Sequence, residues 1–144
     1  MSSLAIRDTI ANHLTGDTTL SDLLTGGIYR ADEVLEISKQ RTPAAYDATS
    51  TDLLPCALLT FPQQTPTGSA FRRSAWLYLD IYLYAQDSHE ALHTAVERIF
   101  DLLHEWAVGV GGWEVRHTND TLDQEEPGMH VAMAITRYRI GVSR

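Results

Sequence analysis

The sequence predicts an α+β domain with an antiparallel sheet of about four strands, in the order α-α-β-β-α-β-β. Three observations carry that expectation. In Ser74–Ala85 the residues alternate strictly: Ala75, Leu77, Leu79, Ile81, Leu83 and Ala85 share one face, and Trp76, Tyr78, Asp80, Tyr82 and Tyr84 the other. Strand side chains alternate sides, so this is a long strand with two different faces. Directly after it, Leu92, Val96, Ile99, Leu103 and Trp106 recur at helical spacing opposite Glu90, Glu97, Arg98, Asp101 and Glu105. That is an amphipathic helix of about five turns. Further strand-like runs flank this pair at Pro55–Phe61, Gly112–His117 and Met129–Val142.

Taken in order, Ser2 or Ser3 caps a first helix with Leu4, Ile10, Ala11 and Leu14 on its apolar side, ended by Gly16. Asp17–Leu24 reads as a second short helix closed by Gly26-Gly27, and Ile28–Arg30 as a short extended segment. Residues 31–53 hold no sustained period beyond one helical turn near Asp32–Ile37, and are expected as a long loop excursion. Pro62–Ala70 turns the chain between strands to make a long hairpin. Asp87 caps the central helix with Glu90 reaching back, and Gly109, Gly111 and Gly112 stop it. Asn119–Gly128 is expected as an acidic loop, with Asp120, Asp123, Glu125 and Glu126 and no basic partner nearby. In the last strand Val131, Met133 and Ile135 lie on one face, whereas Tyr138, Ile140 and Val142 lie on the other. The switch implies a bulge, or a strand buried on opposite sides in its two halves.

At 144 residues a single domain, 1–144, is expected, large enough for its own core. The single cysteine, Cys56, sits in an apolar run and excludes an intramolecular disulfide or a cysteine metal cluster. No stretch is long and apolar enough to span a membrane and no leader opens the sequence, so a soluble protein made in a reducing cytosol is expected. Eleven Lys and Arg against nineteen Asp and Glu leave a net charge of −8, which argues against gripping nucleic acid through its phosphates.

Catalytic motifs are mostly missing. His89-Glu90-Ala91-Leu92-His93 matches H-E-x-x-H, a spacing that places two imidazoles on one helix face for zinc. The extension that would add a third ligand has Val96 and Ile99 instead of Gly and His. A zinc-dependent hydrolase built on His89, Glu90 and His93 is therefore the minor alternative. The glycines 109–112 follow a helix, whereas a phosphate cradle needs strand, glycine loop and helix N-terminus in that order. Lys39 is the only lysine and no nucleophile elbow is present. No enzyme activity, cofactor or metal site is expected.

The unusual feature is the aromatic face of Ser74–Ala85. Tyr and Trp pair an apolar body with a polar tip, and four together exceed the apolar patch a monomer usually exposes. Two coverings are available, the excursion 31–53 or a neighbouring subunit, and a neighbour is expected for at least part of the row. Asp80 calls for an arginine, with Arg137 and Arg139 as candidates. The expected subunit interface is thus Trp76, Tyr78, Asp80, Tyr82, Tyr84, Arg137 and Arg139.

Several local signatures together resemble the tail-completion, or tail-terminator, proteins of long-tailed bacteriophages. They are Leu20–Leu24 running into Thr25-Gly-Gly-Ile-Tyr29, the strand entry Leu54-Pro-Cys-Ala-Leu-Leu59, Arg72-Arg73-Ser74 before the long strand, and the helix Glu90–Trp106 centred on Glu97-Arg98-Ile99. The closing two-strand hairpin also matches in kind. The resemblance spans about Leu4 to Ile140 as a pattern of elements, and the excursion at 31–53 is longer than the family pattern.

That resemblance implies a sheet with helices packed on one face, assembled into a ring, often of six subunits. Such a ring sits on the tail tube protein, ends tube polymerisation and offers a docking face to the head–tail connector. DNA would pass through its lumen without specific binding, and no membrane is involved. Asp120, Asp123, Glu125 and Glu126 would then face the lumen or an axial partner. The location implied is the virion tail or neck, assembled in the host cytoplasm. A head-closure or other neck component is the alternative within the same class.

Overall fold

In the computed structural model, which describes residues 3–66, 74–109 and 112–143, strand β4 (Ser74–Ala85) is the axis of the sheet. Its even-numbered and odd-numbered side chains face opposite ways, as the alternation requires. Before it come α1 (Ser3–Thr15), α2 (Thr18–Leu23), β1 (Gly27–Arg30), α3 (Ala31–Val34), a 3-10 turn at Pro43–Ala45, β2 (Cys56–Thr60) and β3 (Gln64–Pro66). After it come α4 (His89–Leu103), β5 (Ala107–Gly109), β6 (Gly112–Glu126) and β7 (Val131–Ser143).

Among the described residues the sheet has seven strands rather than about four, in the order β1-β2-β4-β7-β6-β5, with β3 also paired to β4. The three additional strands, β1, β3 and β5, span three or four residues each, too short to display alternation. Nor is the sheet wholly antiparallel, because β1 runs parallel to β2. A parallel pair needs a long crossover, and the excursion 31–53 lies within it.

Helix α4 is also shorter than its apolar pattern suggests. It is capped by Ser88, whose hydroxyl accepts from the Ala91 N–H at 3.1 Å, and not by Asp87. It ends at Leu103 after about four turns, before the glycines. Glu105 takes a positive φ of 64° and throws the chain into β5. Trp106 thus lies outside the helix yet still packs against the core, its ring stacked on His13 at 3.8 Å. Ser2, Arg72, Arg73 and Gly111, together with residues 67–70 of the Pro62–Ala70 turn, lie outside the described residues.

The inner face of the sheet holds the main core. Leu77, Leu79, Ile81 and Leu83 of β4 meet Ile6, Ile10 and Leu14 of α1, Leu20 of α2, and Leu92, Val96, Ile99 and Leu103 of α4. Each such side chain, taken wholly out of water, stabilises the fold by roughly 1.5–3 kcal/mol. Leu4, expected on the apolar side of α1, is 55% exposed, and Ile6 holds the inward position.

The outer face is covered at one end by the excursion. Ile37, Ala45 and Leu53 close over Cys56 and Leu58 of β2, Tyr84 of β4 and Val131 of β7. This second core accounts for the parity switch in β7. Val131 and Met133 pack under the excursion, whereas Tyr138, Ile140 and Val142 enter the main core. β7 itself keeps unbroken register with β4 across twelve residue pairs. The irregularities lie in β6, which shifts register three times against β7.

Candidate functional site

The end of the outer face that the excursion does not cover is built on the register of β4 and β7, which sets Trp76 opposite Gly141, Tyr78 opposite Arg139 and Asp80 opposite Arg137. Direct cross-strand neighbours on one face have Cβ atoms within roughly 5.5 Å, close enough to interact. Arg137 Nε lies 3.4 Å from Asp80 Oδ1, an ion pair without hydrogen-bond geometry. Burial raises the Asp80 carboxyl above its ordinary value, and the nearby Arg137 charge offsets part of that rise. The Arg139 guanidinium sits 4.2 Å from the ring centre of Trp76, a cation–π contact.

Trp113 of β6 joins this surface. A Cβ placed on Gly141 would come within 2.1 Å of Trp113 Cε3, so the indole lies directly over a residue that must lack a side chain. The ring remains 47% exposed. Sequence reasoning placed Trp113 in a strand without assigning it to this face. The available signal was Gly141 inside an apolar strand, since a strand glycine often marks close approach by another group.

The aromatic row divides in two. Tyr84 is 8% exposed under the chain's own excursion, and burial pushes its hydroxyl up to about 12. Tyr82 is half-buried at the margin of the second core, while Trp76, Tyr78 and Asp80 are half-buried beyond it. The excursion thus covers the Tyr84 end only.

The acidic stretch is not a loop. Residues through Glu126 belong to β6, and the turn occupies 127–130. The register shifts and the positive φ of Asp123, 57°, explain why no strand pattern was visible. Nor are its acids without basic neighbours. Asp120 Oδ1 lies 2.8 Å from His117 Nε2 and accepts from the Thr136 hydroxyl at 2.6 Å. Asp123 Oδ1 lies 2.8 Å from His93 Nε2, and Glu125 Oε1 3.2 Å from His130 Nδ1. Glu126 accepts from the Met129 N–H.

His89 and Glu90 stand exposed in the first turn of α4, while His93 is turned toward Asp123. Among the described residues, no three His, Cys, Asp or Glu side chains are grouped so as to hold a metal ion. No helix among them is long and apolar enough to cross a membrane. The outer face beyond the excursion is aromatic and set with two arginines.

Neither a family model nor a curated protein matches the sequence. Among solved structures the chain is similar to one from a virion of a native gene transfer agent particle, at 10% identity and a TM-score of 0.63. The likeness covers 94% of this chain and 92% of that one. At that identity the likeness establishes a shared fold, end to end.

Proposed function

We propose that this chain is a structural protein of a phage-like virion that forms a ring, of six subunits, at the end of the tail tube. The ring ends tube polymerisation and joins the tail to the head–neck connector, with DNA passing through its lumen. The observation that carries the reading is the fold likeness to a chain of a gene transfer agent virion over nearly the whole length of both. The half-buried outer face supports it, because Trp76, Tyr78, Trp113, Arg137 and Arg139 leave an aromatic and cationic surface of the kind interfaces favour.

In this reading the surface meets a neighbouring subunit, and the exposed Asp123 and Glu125 near the β6–β7 turn face the lumen or an axial partner. The test is sedimentation of the purified protein, followed by electron microscopy with isolated tail tubes. Closed rings, free or seated on one tube end, are the expected result. A monomer at all concentrations that leaves tube ends bare would sink the reading.

A further inference from the structure

We infer that the outer sheet face of one copy docks on the exposed side of α4 of the next copy, head to tail. The inference rests on the ring reading and names the surface that completes it.

The domain is a two-layer slab. α1, α2 and α4 cover the inner face of the sheet, so the exposed side of α4 and the outer face beyond the excursion look in opposite directions. On α4, Glu90, Thr94, Glu97 and Asp101 are all exposed and follow one another at spacings of four, three and four residues. That spacing makes a single stripe along the helix. Neither Glu90, Glu97 nor Asp101 forms an ion pair among the described residues; the adjacent Arg98 is committed to Asp17. Phe100 beside the stripe is 39% exposed, unusual for a large apolar side chain on a charged helix face. It borders a recess of about 340 Å³ lined by Val96, Glu97, Asp101, His117 and Asp120.

The opposite side of the slab carries the complement. Arg139 has no carboxylate partner among the described residues and rests on Trp76. Arg137 has Asp80 within reach but without hydrogen-bond geometry. At a strand rise of about 3.3 Å per residue, Arg137 and Arg139 are spaced by about 6.6 Å. Glu97 and Asp101, four residues apart at about 1.5 Å each, are spaced by about 6 Å. Two arginines and two carboxylates thus match in sign and pitch. A guanidinium presents five donors in a fork suited to such carboxylates. Because the two patches differ and lie on opposite sides, their contact is heterologous, and it closes into a ring when the rotation per subunit permits.

Charge reversal tests this. Arg137→Glu with Arg139→Glu should weaken self-association at least about tenfold, as close interfacial charge pairs do when reversed. Glu97→Arg with Asp101→Arg, on an exposed helix face, should do the same with an unchanged melting temperature. An equimolar mixture of the two double variants should recover rings, since each supplies the face the other needs. Rings formed by the wild type and by the Glu97→Arg/Asp101→Arg variant alike would overturn this contact and leave the ring reading standing. Failure of the mixture to assemble, with both variants folded, would also overturn it. A monomeric wild type would remove the ring reading itself.

Discussion

Asp17 receives both arms of Arg98 while it caps a helix of its own. Arg98 Nη2 donates to Asp17 Oδ1 at 2.7 Å and Nε to Oδ2 at 3.0 Å, and the same Oδ2 accepts from the Leu20 N–H at 2.8 Å. One carboxylate thus starts α2 and ties it to α4, eighty-one residues away. Arg98 beside it holds the Asp17 carboxyl below its usual value. A lowered carboxylate pKa adds stability above the unfolded value, near 4, and loses it as pH falls through the lowered one. Asp17→Asn keeps a capping oxygen but loses the charge, so it should melt a few degrees lower at pH 7 and match the wild type in strong acid. Asp17→Ala should cost more. Thermal melts of a double-mutant cycle with Arg98→Ala measure the coupling, and strict additivity would refute it.

Asp80 has the opposite sign. Burial raises its carboxyl above the ordinary value despite Arg137, so the fold is penalised as pH rises through that raised value and not below the unfolded one. Asp80→Asn should therefore stabilise the monomeric domain at pH 7, by under about 1 kcal/mol, the scale of a partly exposed ion pair. Its advantage should vanish near pH 3. A variant less stable than wild type at pH 7 would show that the Arg137 attraction outweighs desolvation.

Cys56 reports on the second core. Burial pushes its thiol up to about 12 from an ordinary 9.0, so its contribution to stability is intact below 9 and falls as pH rises toward 12. In the folded protein at pH 8 it should resist a disulfide reagent, because the thiolate is the reactive form. Leu53, 2% exposed, is a keystone of the excursion packed over it. Leu53→Ala should cost about 2–5 kcal/mol and expose Cys56 to the reagent. Amide protection in α4 should persist, since the main core is untouched. Loss of α4 protection in step with thiol reactivity would mean that the two cores unfold as one.

What was legible in the sequence follows from length and period. β4 showed its two faces because twelve residues alternate without a break, and α4 its buried stripe because both faces are strongly biased. β6 is longer still, yet three register shifts destroy its period, so half of it read as a loop. The outer surface was visible as Trp76, Tyr78 and Asp80, and the cross-strand match of Asp80 with Arg137 was within reach of sequence reasoning. Trp113 was not assigned, because its place over Gly141 depends on register between strands rather than on any local pattern. The fate of Tyr84 depended on where an aperiodic crossover lies. Its covering residues, Ile37, Ala45 and Leu53, come from a stretch with no sustained helix or strand period.

The excursion also holds a strained residue. Leu35 has φ 67° and ψ −48°, and the Glu36 N–H donates to the Val34 carbonyl at 2.8 Å, which makes a γ-turn of the rare positive-φ hand. Its side chain is 63% exposed, so packing within the domain does not repay the strain. A non-glycine residue held in a sparsely populated region costs on the order of 1–3 kcal/mol. Glycine adopts positive φ freely but returns roughly 0.5–1 kcal/mol through its larger unfolded-state entropy. Leu35→Gly should then raise stability by a net of about 1 kcal/mol, read as an upward shift in the denaturation midpoint with an unchanged slope. Leu35→Ala relieves no backbone strain and removes little buried area, so it should leave stability near wild type. If Leu35→Gly and Leu35→Ala destabilised the isolated domain equally, the side chain rather than the backbone would be the determinant, and the strain argument would be wrong.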